Sequence, residues 1–169
     1  MNEQSWPEDW DERRRGVGCP KCASGRADVD ESGGERFFTG RFADGYLQKR
    51  GPQPGYTIVA FHLRHVADLI QFTEEDSAGF WQDVVAVATA LNGVFRPCHM
   101  NYNVLGNGVP HVHAHVIPRY LDDPSPGMPL SPWVVRDVEN EEFARQMELL
   151  QGTLERWPLG MKSAGMPEA

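Results

Sequence analysis

The chain is poor in cysteine, in basic residues and in uninterrupted apolar sequence, and each shortage narrows what it can be. Its three cysteines, with Cys19 and Cys22 close together and Cys98 alone, cannot build a disulfide framework and suit a reducing compartment. Sixteen basic residues against 24 acidic ones leave a net charge of −8. That balance argues against a broad nucleic-acid or anionic-membrane surface, so an anionic ligand must meet a local positive site. No stretch reaches the roughly 18–20 apolar residues of a membrane span. The opening segment, acidic and polar around Trp6 and Trp10, lacks a signal-peptide core. The expectation is a cytoplasmic protein that contacts neither nucleic acid nor membrane. At 169 residues it suits one domain with tails and is long enough for a real core.

Histidine is scarce too, six in the chain, yet three fall at alternate positions: His111, His113 and His115, within Pro110-His-Val-His-Ala-His-Val-Ile-Pro-Arg119. Apolar Val112, Ala114 and Val116 lie between them, and alternation with period two marks a half-buried strand. Successive side chains on a strand point to opposite faces, so the imidazoles share one face and the apolar residues the other. The apolar face can enter a core. The imidazole face needs a partner, because buried polar rings form no core of their own, and a phosphate or a metal would satisfy it.

Elsewhere the pattern is that of an α+β domain. Residues 1–18, with Arg13-Arg-Arg15 among acidic residues, read as a loosely packed solvated arm, and residues 23–35 as a loop. Phe37–Phe42 and Tyr46–Lys49 read as strand pieces around a turn at Ala43-Asp-Gly45, and Tyr56–Phe61 as the strongest strand of the first half. Thr73-Glu-Glu-Asp76 starts a helix, with a hydroxyl cap and acidic residues where the dipole favours them. Phe80, Trp81, Val84, Val85, Ala88 and Leu91 recur at helical spacing as core residues, and Asn92-Gly93 closes that helix. Four prolines between Asp122 and Pro132 exclude regular structure there. A second amphipathic helix begins near Asn140, with Phe143, Met147, Leu150 and Leu154 on one face. The proposed division is arm 1–18, domain 19–135, C-terminal helix 136–157 packed on it, and a frayed tail 158–169.

The run of three histidines with its Pro118-Arg119-Tyr120 tail resembles the histidine-triad (HIT) signature, and the likeness extends over residues 19–127. Gly55-Tyr-Thr-Ile-Val59 and Arg64-His-Val-Ala-Asp-Leu69 look like the family's central strand and following turn, and Asn101-Tyr-Asn-Val-Leu-Gly-Asn107 like the approach to the triad. The resemblance implies an antiparallel β-sheet with a central amphipathic helix and a C-terminal helix. It implies a small-molecule nucleotide as partner, hydrolysed or transferred through a nucleotidyl-histidine. Relatives pair through the central helix and an adjacent strand, which implies a homodimer.

By position in the motif, His113 is the nucleophile towards the α-phosphorus, His115 bonds a nonbridging phosphate oxygen, and His111 supports the site. Gly106, Asn107 and Gly108 would offer backbone amides, and Asn103 or Asn107 a side-chain donor. Gln48 falls at the ribose-binding position. Cys19-Pro-Lys-Cys22 is half a tetrahedral zinc site by its spacing. On the pattern of the wider superfamily, His65 and His111 complete a structural zinc site with the two cysteines.

This chain departs from the family at three places. Tyr56 stands where many members carry a fourth histidine, Asn107-Gly108 replaces glutamine followed by serine or threonine, and Gln48 replaces the usual ribose-binding residue. Without a hydroxyl at Gly108 an amine leaving group lacks a proton donor, so a dinucleoside polyphosphate or similar nucleotide fits better than a phosphoramidate. Two other readings stay open: a three-histidine catalytic metal site, and a nucleotide-binding module without turnover.

Overall fold

Alternating valines and histidines produce the expected strand, and its apolar face is the floor of the core: Val112, Ala114 and Val116 are almost fully buried. The computed structural model describes residues 5–130 and 135–155, so the expected tail at 158–169 lies outside the described residues. In chain order the elements are α1 (Trp10–Arg14), α2 (Pro20–Ser24), β1 (Glu35–Thr39), β2 (Ala43–Leu47), β3 (Arg50–Gly51), β4 (Thr57–Phe61), a 3-10 turn (Leu69–Gln71), α3 (Glu74–Phe95), β5 (His99–Asn103), β6 (His113–Arg119), β7 (Arg136–Asp137) and α4 (Asn140–Glu155). Five strands form an antiparallel sheet in the order β1-β2-β4-β6-β5, and β3 with β7 makes a separate two-stranded ribbon. This is the expected α+β architecture.

Helices α3 and α4 cover one face of the sheet. Phe80, Val84, Val87 and Leu91 from α3 meet Val59, Phe61 and Val116 from the strands, with Phe143 and Leu150 from α4 closing the core. Each such side chain contributes about 1.5–3 kcal/mol on leaving water. The α3 start matches expectation. The Asp76 amide donates to the Thr73 hydroxyl (3.1 Å), and the Thr73 amide donates back to the Asp76 carboxylate (2.9 Å).

Three local expectations are corrected. Ala43-Asp-Gly45 is not a turn but lies within β2; the chain reverses at residues 40–42 instead. The glycine and aspartate that suggested a turn serve the sheet: Gly45 lets α3 come close, since a Cβ there would sit 2.9 Å from Val87. The Asp44 carboxylate is buried and takes two 2.7 Å bonds from Arg26. Helix α3 continues through Asn92-Gly93 to Phe95, because Val94 and Phe95 pack against the core; Arg96 then adopts a left-handed conformation (φ 48°) before Pro97. Trp81 and Val85 are not core residues but remain 37% and 45% exposed on the far side of α3. The N-terminal arm contains the short helix α1, which buries no side chain.

The second face of the sheet carries the histidines. Ala60 is registered against His113 and Asp44, and Ile58 against His115 and Tyr46, so these residues share one side. Residues 19–34 lie over that side, fastened by Arg26 to Asp44 and by the Gln48 amide donating to Asp30 (2.8 Å).

Candidate functional site

The triad does not act as a single cluster. Strand β6 begins at His113, and His111 lies just before it, with its ring turned towards the N-terminal segment. There Cys19, Cys22, His65 and His111 bring four ligand atoms within 4.8 Å of one another. The His111 Nδ1 is 3.4 Å from the Cys19 sulfur and 3.5 Å from that of Cys22, and the His65 Nδ1 is 3.5 Å from Cys22. A tetrahedral ion with bonds of about 2.3 Å to sulfur and 2.0–2.1 Å to nitrogen sets such pairs about 3.6 Å apart.

The ring tautomers agree with that geometry. His111 Nε2–H donates to the Phe61 carbonyl (2.7 Å) and His65 Nε2–H to the Arg14 carbonyl (3.1 Å), so both Nδ1 lone pairs point at the thiols. Burial and the neighbouring Cys19 push the Cys22 thiol up to about 11, a repulsion that a cation between the sulfurs relieves. All four residues expected to hold a metal converge on one cluster that could hold an ion. His62 stands apart, directed at the Gly40 carbonyl (3.3 Å).

His113 and His115 form the other half, their ring centroids 4.9 Å apart. His113 Nδ1 lies 2.6 Å from the His111 carbonyl oxygen. A carbonyl only accepts, so Nδ1 carries the proton and Nε2 keeps its lone pair. Burial, reinforced by the charge of Lys21, lowers the His113 pKa to about 4, which keeps the ring neutral at pH 7. One nitrogen of the ring is therefore held and the other is left with its lone pair. Three imidazoles clasping one catalytic metal is not what the fold assembles, because the ring of His111 belongs to the cysteine cluster.

Tyr56 takes an unexpected part. Its hydroxyl is 2.5 Å from His115 Nδ1 and its ring is parallel to the imidazole. Burial raises the phenol to about 12, so it stays protonated in its hydrogen bond with Nδ1. The sequence marks Tyr56 only as a departure from the family. Its place two residues before Ile58, the partner of His115 and so on the same face, is what could have signalled the contact.

The remaining expected residues are placed unevenly. Asn103 lies directly across β5 from His115. Gly106 has a left-handed φ of 67°, which its glycine permits, while Asn107 and Gly108 are exposed and make no hydrogen bond to the histidines among the described residues. Gln48 is buried, and its amide is taken by Asp30 and the Tyr46 carbonyl. Sequence reasoning missed Lys21 and Glu31, whose ion pair (2.5 Å) borders the cluster.

A HIT domain family model matches residues 47–122, which takes in the triad and Tyr56 but not the two cysteines. No curated protein matches the chain in sequence. Among solved structures it is similar to a histidine triad protein from Bradyrhizobium japonicum (18% identity, TM-score 0.62, covering 71% of this chain and 90% of that one). A Zn-bound histidine triad family protein from Mycobacterium smegmatis is similar at 23% identity and TM-score 0.59, over 82% of this chain and 94% of the other. Plasmodium falciparum diadenosine triphosphate hydrolase is similar at 17% identity and TM-score 0.55, over 78% and 82%. The triad strand and its antiparallel sheet agree with the family match, so residues 47–122 are a HIT domain.

Proposed function

We propose that this protein is a nucleotide hydrolase or nucleotidyl transferase that works through a nucleotidyl-histidine on His113. The observation that carries the reading is the hydrogen bond from His113 Nδ1 to the His111 carbonyl, which leaves Nε2 as a neutral nucleophile. Nε2 attacks the α-phosphorus, a P–N bond forms, and the P–O bond to the leaving group breaks. Water or a second acceptor then cleaves the P–N bond and restores the free imidazole. His115 Nε2–H bonds a nonbridging oxygen, with Asn103 nearby as a further donor. Gly106, Asn107 and Gly108 remain the expected backbone-amide donors to the phosphate. A polyphosphate leaving group, such as that of a dinucleoside polyphosphate, is favoured because Gly108 offers no hydroxyl to protonate an amine. Incubation with α-labelled nucleotides should trap acid-labile label on His113; tight nucleotide binding with no label and no turnover would favour the non-catalytic module.

The cofactor fitted to Cys19, Cys22, His65 and His111 is a structural zinc ion, which would pin residues 5–22 to the rim of the site. Tyr56→Phe should lower kcat/KM by about tenfold, since His115 loses the bond that fixes its tautomer. Equal rates for the two proteins would remove Tyr56 from the machinery.

A homodimer is part of the same reading. The edge strand β5 with exposed Tyr102, and the exposed Trp81 and Val85 of α3, offer a surface of the expected kind. Sedimentation at micromolar concentration should give twice the chain mass, and a monomer there would count against it.

A further inference from the structure

The histidine face needs a cation for an anionic substrate, and the protein's overall charge of −8 does not supply one. The arginines around that face are committed. Arg26 is held by Asp44, and Arg64 by Asp76 (2.7 Å). Arg119 is held by Asp123, Asn101 and the carbonyls of Ser125 and Met128. The acceptors are themselves tied down, Asp44 by the Gly40 amide and Asp76 by the Thr73 amide. These pairs build the fold.

Lys21 differs. It sits between the two cysteines of the metal knuckle and is 7% exposed. With Glu31, His111 and Ala60 it lines a cavity of about 250 Å³, and Ala60 is the strand partner of His113. Its ammonium meets the Glu31 carboxylate at 2.5 Å. Glu31 lies on the rim, its side chain 22% exposed against 5% for Lys21, in the loop between α2 and β1. Among the described residues that carboxylate has, besides Lys21, only its own backbone amide. A buried cation in a cavity bordered by His111 and by the strand partner of His113, covered by a rim carboxylate otherwise held only by its own backbone, has the composition of an anion site.

We propose that Lys21 is a phosphate-binding residue of this site, and that Glu31 occupies its ammonium until a nonbridging oxygen of a nucleoside di- or polyphosphate replaces the carboxylate. The inference rests on the nucleotide reading above and deepens it, because it ties the substrate class to a residue outside the matched HIT region.

The alternative is that the pair is a strut for the loop, and the two partners separate these cases. Kd is measured for the diphosphates of the four common nucleosides and for the parent nucleosides, on metal-loaded wild type, Lys21→Met, Glu31→Gln and the double variant. Lys21→Met should weaken diphosphate binding by about tenfold or more, the worth of one charge-assisted contact, and leave nucleoside binding unchanged. Glu31→Gln should tighten diphosphate binding, because it frees the ammonium. The double variant removes both charges together, so it folds without an unpaired ion and should bind as weakly as Lys21→Met. If Glu31→Gln weakens binding as much as Lys21→Met, or if Lys21→Met and the double variant bind diphosphates like wild type, the assignment is overturned. Wild type that binds none of the diphosphates would overturn the nucleotide reading itself, and this assignment with it.

Discussion

His113→Ala is expected to lose more than about a hundredfold in turnover, upwards of roughly 2.7 kcal/mol of transition-state stabilisation, while its fold and nucleotide affinity stay close to wild type. The nucleophile makes its bond in the transition state, so its loss falls on kcat rather than on ground-state binding. The site around it survives, because His113 is neither a ligand of the cysteine cluster nor part of the apolar core. His113→Gly should accept added imidazole in the vacated space and recover some activity. His115→Ala should weaken binding and rate together, since a phosphate contact exists in both states. The acid limb of kcat/KM provides a further check. Burial disfavours the charged ring, so the free enzyme keeps a neutral nucleophile down to a pH of about 4. Activity should therefore persist through pH 6, where an ordinary histidine near 6.5 would already be protonating. A His113→Ala protein that kept more than about a hundredth of wild-type turnover would show the nucleophile to be elsewhere.

What could be read in the sequence follows from how local each signal is. The period-two triad, the Thr73 cap and the α4 stripe are short-range patterns, and each led to the element observed. The α2–β1 region gave no such pattern, since residues 25–34 are loop and their place over the histidines depends on long-range ties such as Arg26 to Asp44. Turn chemistry misled at Ala43-Asp-Gly45, where the glycine answers the approach of Val87 rather than a chain reversal. The metal cluster was legible only through resemblance: Cys19 and Cys22 give half a site by spacing, and nothing local ties them to His65 or His111. Lys21 and Glu31 were silent because an ion pair ten residues apart across a loop has no periodicity to betray it.

Removing the metal should affect both structure and chemistry, because His111 serves both. Its Nδ1 faces the thiols, while its backbone carbonyl accepts the His113 proton that sets the nucleophile's tautomer. Freshly purified reduced protein should hold about one zinc per chain. Cys19→Ser or Cys22→Ser should release it. A ligand present at about a thousandfold over its Kd stabilises the folded state by about 4 kcal/mol. For a chain of this size, a strong chelator should then lower Tm by roughly 8–16 °C. The loss should be local at first. Helix α1 buries no side chain, and Gly16 lies against the His65 ring, so residues 5–22 depend on the cluster for their attachment, while Arg26 and Asp30 hold the segment after them. Limited proteolysis of the chelated protein should cut there while the α3–α4 core remains protected. Turnover should fall with the metal, since the His111 carbonyl is no longer held against His113 Nδ1. Negligible zinc in the fresh protein, or a chelator that alters neither Tm nor the proteolytic pattern, would leave the four residues as reduced thiols and free imidazoles.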